Sequence, residues 1–245
     1  MNKTEYNDMY NCEDKMWWYD SLRHVLKYWI NKEGRKDLKI LDAGCGTGKN
    51  IESFSKLDFI TEGIEFSQDA IELCKNRGIK NIKQGSITNI IFPDSTFDIT
   101  LCIDVIGILD DKDRKIAIDE LLRVTKSNGI IIMHSAAHEF LRSQHDEVCN
   151  LKKRFTKKEY EALFENTNIS IIKSSYRYFL LSPLIITYKI VKKFLGKNKI
   201  PKSDQNVPIY PINILFKILM RIEDFFGRYI NYPFGSSIFI IVRKK

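Results

Sequence analysis

The sequence predicts an α/β fold with a doubly wound, mostly parallel sheet, and three observations lead to this prediction. A short apolar segment at residues 39–43 runs directly into a glycine-rich loop. Further short apolar segments follow, and the stretches between them carry apolar residues at helical spacing. Turn residues such as Pro93-Asp94 and Ser127-Asn128-Gly129 separate the two kinds of segment. Strands that alternate with helices form βαβ units and therefore a parallel sheet.

Most predicted elements in the first half of the chain have a recognisable start or stop. Ser67 is placed to cap a helix that ends at Gly78. Asp111 is placed to cap a second helix, with Ile118 and Leu121 on its apolar face. The strands predicted in this half are residues 39–43, 59–64, 81–87, 97–105 and 130–133.

The second half contributes a capping box, two more strands and a long insertion. Thr156 and Glu159 have the capping-box spacing of a helix start. Residues 169–175 and 237–243 are the sixth and seventh predicted strands. About sixty residues lie between them, and extra segments of this kind usually serve substrate recognition.

The insertion is apolar, aromatic and basic in turn. Its first part, residues 176–195, is interrupted too often by charges and by Pro183 to cross a bilayer. Residues 196–208 have the composition of a basic linker. A second amphipathic helix is predicted at 212–230, with an apolar side formed by Leu215, Ile218, Leu219, Ile222 and Phe226. We expect a lid or a packing surface, and the alternative is a position on an anionic membrane surface.

Length and composition fit one globular domain. The chain has 245 residues, of which 44% are hydrophobic and 29% charged, so it can bury a sizeable core. We divide it into an N-terminal helical cap (1–36), a core (37–175), a helical insertion (176–236) and a last strand (237–245). The five cysteines form no C-x-x-C pair and the N-terminus is polar and acidic, so we expect reduced thiols, no signal peptide and a cytoplasmic location.

The glycine loop and Glu65 together predict a nucleoside-binding crevice. The loop follows Asp42 and has glycines at 44, 46 and 48. Glu65 ends the second strand, where a carboxylate can bind two ribose hydroxyls. A dinucleotide fingerprint would need a third glycine where this chain has Lys49. Without Glu65, the loop would also be compatible with a plain, tight connection between strand and helix.

The spacing of Asp42, Gly44, Gly46 and Gly48 resembles the first motif of the class I S-adenosylmethionine (SAM) methyltransferases. The segment 92–98 is similar to the lead into their fourth strand. The resemblance implies a Rossmann-like sheet of seven strands, with SAM as cofactor and S-adenosylhomocysteine as product. The cofactor-binding residues that we assign on this basis are Trp18, Arg23, Asp42, Gly44, Cys45, Gly46, Gly48, Glu65, Phe66, Ser86, Ile87 and Asp104.

An aromatic block, Trp17-Trp18-Tyr19, precedes the glycine loop. With Glu13 it resembles a subgroup of bacterial methyltransferases encoded among genes for cell-surface polysaccharides and secondary metabolites. The block predicts either an edge helix that completes the core or a lid that excludes water from the sulfonium. Arg23 would then be available for the SAM carboxylate or for an acidic acceptor. The subgroup resemblance also covers His145-Asp146, 153–159 and 233–239.

Two positions depart from that resemblance. Ser86 stands where an acidic residue would face the adenine, so a hydrogen bond to the adenine amino group would be weaker or come from the backbone. Gly107-Ile108 stands where many relatives have Glu-His, which removes a common candidate base. Cofactor binding is still expected, whereas the acceptor chemistry must depend on other residues.

Methyl transfer needs a base only when the acceptor carries a proton, because the sulfonium of SAM is already activated. We predict His145, oriented by Asp146, and His134 as the candidate catalytic residues. Each histidine is also compatible with a purely structural role in a loop. A third and a fourth metal ligand at suitable spacing are missing from the sequence, so no metal is expected.

The formal charge of +8 and the pI near 9.1 invite a nucleic-acid partner. However, the basic residues are spread along the chain, and residues 104–108 lack the Asn/Asp-Pro-Pro-Tyr/Phe motif of many nucleic-acid amino-methylating enzymes. We predict O-methylation of a small-molecule or peptide natural product, at a carboxylate or hydroxyl, by a monomer or homodimer. The alternatives are a peripheral membrane enzyme that methylates a lipid-linked glycan, and a non-catalytic SAM-binding module.

Overall fold

The computed structural model describes residues 1, 3–195 and 207–245, without the side chains of 189 and 192–195. The predicted linker at 196–208 therefore lies outside the described residues, except for its last two. Seven strands form one sheet in the order β3-β2-β1-β4-β5-β7-β6. The strands are β1 Lys39–Ala43, β2 Ile60–Glu65, β3 Ile82–Gln84, β4 Phe97–Ile103, β5 Thr125–Ala136, β6 Ile169–Arg177 and β7 Ser237–Lys244.

All strand pairs are parallel except those made by β7. β1 pairs with β2 and β4, and β4 pairs with β5, whereas β7 runs antiparallel between β5 and β6. This confirms the predicted doubly wound, mostly parallel sheet. The carboxyl ends of β1, β2, β4 and β5 lie at one edge, and sheets of this type bind their ligands there.

Helices cover both faces of the sheet. Leu26 of α2 and Phe54 of α3 pack on one face, and Leu121 of α5 and Tyr160 of α7 pack on the other. Among the described residues, no helix combines the length and apolarity needed to cross a membrane. The helices are α1 Lys3–Cys12, α2 Trp17–Asn31, α3 Lys49–Ser55, α4 Gln68–Asn76, α5 Asp111–Val124, α6 Gln144–Val148, α7 Lys157–Ala162, α8 Ser182–Leu195 and α9 Tyr210–Gly227.

The helix starts follow the predicted chemistry with two differences. Thr156 and Glu159 form the predicted capping box of α7. The cap of α5 is Asp110 rather than Asp111, because Asp110 Oδ1 accepts a hydrogen bond from the Asp113 N–H at 3.0 Å. Ser67 precedes α4 as predicted, but its side chain makes no capping hydrogen bond.

Helix α9 turns its polar side toward the protein. Glu223 is buried and accepts hydrogen bonds from the N–H groups of Tyr178 at 2.5 Å and Leu180 at 3.0 Å. Asp224 is buried in an ion pair with Arg177, with 2.7 Å between Oδ1 and Nη2. The predicted apolar side of this helix therefore faces mainly outward.

Candidate active site

The glycine loop connects β1 to α3 at the carboxyl edge of the sheet. Gly44, Gly46 and Gly48 have φ angles of 83°, 55° and 80°. A Cβ atom on Gly44 would clash with Val105 Cγ2, and one on Gly46 would lie 2.9 Å from Met9 Cε. The loop therefore requires glycine both for its backbone conformation and for the close approach of its neighbours.

Asp42 ends in a buried carboxyl group just before this loop. Neither of its oxygens has a hydrogen-bond partner among the described residues. Burial raises the pKa of Asp42 to about 7. The side-chain amide of Asn50 partly opposes this shift, and the negative charges of Glu65 and Glu13 add to it. Burying a carboxyl group without a hydrogen-bond partner costs free energy, and a cation beside it would reduce that cost.

Glu65, at the end of β2, is held by three donors. Its Oε2 accepts a hydrogen bond from the Gly46 N–H at 2.8 Å, and its Oε1 accepts one from the Ser67 N–H at 2.9 Å. The Tyr6 hydroxyl donates to Oε1 at 3.5 Å, which brings α1 over the same carboxylate. A carboxylate has about four acceptor sites, so one is open for a ribose hydroxyl, and a second becomes available when the long Tyr6 contact is exchanged.

The N-terminal segment crosses the glycine loop through a buried ion pair. Glu13 pairs with Arg77 and accepts a hydrogen bond from the Thr47 hydroxyl. Arg77 Nε also donates to the Thr47 carbonyl oxygen at 3.0 Å. Sequence patterns did not predict α1, Thr47 or Arg77, because opposite charges far apart in a chain carry no pairing signal. Tyr6 and Met9 are three residues apart, which is a helical spacing from which α1 could have been predicted.

Three predicted cofactor residues lie around β2 and β3. Phe66 follows Glu65 directly, and its side chain is 76% exposed. Ile87 is buried. The Ser86 hydroxyl lies 2.7 Å from that of Thr88 and also accepts a hydrogen bond from the Thr88 N–H at 3.1 Å. The contacts with Thr88 occupy the Ser86 hydroxyl. We therefore expect a backbone group, and not this hydroxyl, to form the hydrogen bond to the adenine amino group.

Asp104 and His134 form a pair at the carboxyl ends of β4 and β5. His134 Nδ1 lies 3.0 Å and 3.1 Å from the two carboxylate oxygens of Asp104. The His134 side chain is fully buried, and its Nε2 has no hydrogen-bond partner within the described part of the chain. The structure therefore joins a predicted cofactor residue to a predicted base.

Two aromatic rings close over His134. The ring centres of Trp18 and Tyr178 lie 5.7 Å and 6.2 Å from the imidazole, and the two rings stack on each other at 6.2 Å. Trp17 packs edge-on against Tyr178 and against Phe216 of α9. Within the aromatic block, Trp17 therefore packs in a core and Trp18 covers His134. Tyr178 was not predicted, because it follows the sixth strand without a local motif.

The structure gives Asp146 a partner other than the predicted His145. Asp146 is buried and accepts two hydrogen bonds from Arg154, at 2.9 Å and 2.7 Å. Neighbouring residues of a helix point in different directions, and Arg154 pairs with Asp146 at 2.7 Å. His145 Nδ1 instead lies 3.5 Å from Glu5 Oε1, on α1.

His145 also has Cys149 as a neighbour, with 3.5 Å between Nε2 and Sγ. Glu5, His145 and Cys149 place their ligand atoms within 4.8 Å of one another, so α1 supplies the third donor that the sequence analysis did not find. Burial and then Glu5 raise the pKa of Cys149 to about 12, which keeps it a neutral thiol in the protein alone. The absence of a metal stays a prediction.

Two further predicted cofactor residues have other partners. Cys45 packs with Ile51, Cys74 and Ile79, and its N–H donates to the Ile64 carbonyl oxygen at 3.1 Å. The Cys45 side chain therefore packs in the interior, and its role as a cofactor residue stays a prediction. Arg23 Nη2 donates to the Glu13 carbonyl oxygen at 2.5 Å, and burial lowers the pKa of the guanidinium. Arg23 thus supports the segment that crosses the loop.

Comparisons with known proteins identify the family. The profile of a methyltransferase domain matches residues 41–133. A SAM-dependent methyltransferase of Thermotoga maritima has the same fold, with a TM-score of 0.60 and 17% identity over 99% of this chain and 96% of that one. An uncharacterized protein of Methanocaldococcus jannaschii is 33% identical over 71% of this chain and 74% of its own length. The chain belongs to the class I SAM-dependent methyltransferases.

A further relative of this methyltransferase is the ajmaline N-methyltransferase of Rauvolfia serpentina. It is 27% identical, and the match covers 51% of this chain and 45% of the relative. The methyltransferase thus spans about half the length of that enzyme.

SAM is the cofactor of this methyltransferase, and the site fits it. We infer that Asp42, whose carboxyl lacks a partner, lies beside the ammonium group of SAM. Glu65 has capacity for the ribose hydroxyls, and the exposed ring of Phe66 offers a stacking surface for adenine.

We expect SAM binding to strengthen as the pH rises toward 7. The pKa of Asp42 is about 7 in the protein alone, so below that pH the carboxyl carries a proton. Binding the ammonium group favours the ionised carboxylate and releases this proton. Affinity should therefore rise roughly tenfold per pH unit between about pH 5 and 7, and then level off. Calorimetry of Asp42→Asn should show weaker, nearly pH-independent binding. A pH-independent wild-type affinity would contradict the assignment.

Proposed function

We propose that this methyltransferase methylates an oxygen of a small-molecule or peptide acceptor, with His134 as general base. The Asp104–His134 pair carries this proposal. Asp104 accepts a hydrogen bond from Nδ1–H, so the lone pair of the neutral imidazole lies on Nε2, as a base requires. Nε2 is buried and lacks a partner among the described residues, so an acceptor hydroxyl can serve as one once Trp18 and Tyr178 move aside to admit it.

The residues of the site divide the reaction between them. When bound, SAM supplies a methyl group on an activated sulfonium. The glycine loop and Glu65 align the cofactor with the acceptor, and such alignment is worth ~7 to 11 kcal/mol of the barrier. His134 receives the acceptor proton and Asp104 stabilises the resulting imidazolium. Trp18 and Tyr178 exclude water from the imidazole.

The base distinguishes between acceptor groups. A carboxylate is ionised by itself and a neutral amine attacks with its own lone pair, whereas a hydroxyl must lose a proton. The base therefore favours a hydroxyl. The ajmaline relative is named for transfer to nitrogen, so similarity alone does not select the atom. A cytoplasmic location and a role in natural-product synthesis belong to the same proposal. The location is supported by the five cysteines, all of them among the described residues, because no two of them form a disulfide.

The test measures S-adenosylhomocysteine release with a panel of hydroxyl and carboxylate acceptors. We expect His134→Gln to lower kcat about 100-fold or more with unchanged SAM affinity, because a positioned base contributes ~100- to 10,000-fold. Asp104→Asn should lower kcat as well. The control is His24→Gln on α2, and His145→Ala tests the other predicted base. Full turnover by His134→Gln would disprove its role as base and favour a carboxylate acceptor.

A cavity favours a second candidate, an acceptor that carries a lipid tail. It is an open depression with a volume of about 240 Å³, and one of its lining residues is Phe179, which follows Tyr178 in the chain. Its other lining residues are Leu180, Ser182, Pro183, Ile186 and Phe234. In the same assay, a long-chain acceptor should have a KM at least about tenfold below that of its short-chain counterpart, because the tail buries apolar surface. Equal KM values would eliminate this candidate.

A further inference from the structure

Helices α8 and α9 both carry exposed apolar side chains, and we call these side chains together the outer face. They pack on each other and on Trp17 through Ile185, Phe216 and Leu219. The outward side chains of α9 are between 45% and 53% exposed, and those of α8 between 47% and 56%. The outer face consists of Leu184, Tyr188, Ile190, Val191, Leu215, Ile218, Ile222, Phe225 and Phe226.

Buried polar contacts hold α9 in this orientation. Asn213 accepts a hydrogen bond from the Trp17 N–H at 3.0 Å and donates one to the Lys15 carbonyl oxygen at 2.9 Å. Glu223 and Asp224 hold the backbone after β6 and the Arg177 guanidinium. Rotating α9 to hide its apolar side would break all of these contacts. The outer face is therefore specified by the sequence and needs something to cover it.

The positive charge of the chain is concentrated in the same segment. Residues 176–236 contain ten Lys and Arg residues but only three Asp and Glu residues, whereas the whole chain has a net charge of +8. Of these residues, the acidic Glu223 and Asp224 and the basic Arg177 are buried. The excess of positive charge thus belongs to the part of the chain that presents the outer face.

We propose that the outer face binds the surface of an anionic lipid bilayer. Helices that lie in a membrane interface combine an apolar face with an excess of Lys and Arg, and the sequence of this segment has both features. A second copy of the chain would cover the apolar side chains, but a two-fold contact would bring two strongly basic segments together. An anionic bilayer accommodates both the apolar side chains and the charge.

Flotation of the full chain with vesicles tests this proposal. We expect binding to vesicles that contain phosphatidylcholine and phosphatidylglycerol, weak binding to phosphatidylcholine alone, and release at high salt. Leu215→Gln/Ile218→Gln should weaken binding at least about tenfold. The matched control is Ile60→Gln/Ile91→Gln, which replaces side chains of similar exposure (55% and 51%) elsewhere on the molecule and should bind like wild type.

Light scattering and thermal unfolding complete the experiment. We expect a monomer in solution and similar unfolding midpoints for the variants, since the replaced side chains are exposed. Absence of flotation, or flotation unaffected by Leu215→Gln/Ile218→Gln, would overturn the proposal. A wild-type dimer that this variant dissociates would assign the outer face to a second copy and overturn it too. SAM binding in solution is a separate measurement, so failure here leaves the proposed reaction untouched.

Discussion

Replacing Glu65 with alanine is expected to weaken SAM binding about 100-fold or more. The substitution removes the acceptors for two ribose hydroxyls, and hydrogen bonds to a charged group are worth about 1.5 kcal/mol or more each. A loss of about 3 kcal/mol corresponds to roughly 100-fold in affinity. It also releases the Gly46 N–H, which Glu65 holds at 2.8 Å, so the glycine loop loses an anchor. Isothermal titration calorimetry measures the effect directly.

Two variants separate ribose binding from general effects of the substitution. Glu65→Gln keeps one carbonyl oxygen, so we expect an intermediate loss of about tenfold. Glu62→Ala removes a half-buried carboxylate from the same strand and should leave SAM affinity unchanged. Intact SAM binding by Glu65→Ala would show that this carboxylate does not hold the ribose.

Replacing Arg177 with methionine is expected to lower the free energy of unfolding by about 3 to 5 kcal/mol. Arg177 Nη2 pairs with Asp224 at 2.7 Å and donates to the Ser21 hydroxyl at 2.7 Å, and all three residues are buried. Without the guanidinium, the Asp224 carboxylate loses its paired charge in the interior. The contact joins β6, α2 and α9, so the loss should loosen the attachment of α9. Urea unfolding gives the magnitude.

The chain offers a matched control for this ion pair. Arg221 Nη2 pairs with Asp20 Oδ2 at 2.8 Å, also between α9 and α2, but both side chains are partly exposed. Arg221→Met should therefore cost less than about 1 kcal/mol. The double variant Arg177→Met/Asp224→Leu should recover part of the stability, because it removes both buried charges. Equal losses for Arg177→Met and Arg221→Met would contradict the buried-charge argument.

Sequence patterns predicted the elements whose signals are local. The apolar runs of β1, β2 and β4 and the capping box at Thr156 depend on residues close together in the chain, and the structure contains each of them. The capping residue of α5 was displaced by one position, because Asp110 and Asp111 have the same chemistry and only the backbone conformation selects between them.

Sequence patterns predicted less of the candidate site than of the fold. His145 and Asp146 are adjacent in the chain, but packing gives them different partners, Glu5 and Arg154. His134 is paired with Asp104, thirty residues away in the chain. Tertiary contacts of this kind arise from strand register, since Ile103 on β4 pairs with His134 on β5. No local spacing encodes that register.

By itself, the sequence predicted the strands of the sheet, the glycine loop and the family. Strand periodicity predicts the strands, glycines mark the positions with positive φ angles, and the spacing from Asp42 to Glu65 indicates the family. All three are local properties of the chain. Only the tertiary structure decided which groups meet. It placed α1 over the glycine loop, left the Asp42 carboxyl without a partner among the described residues and joined His134 to Asp104. It also decided the direction of α9, since buried partners for Glu223 and Asp224 outweigh the burial of its apolar side.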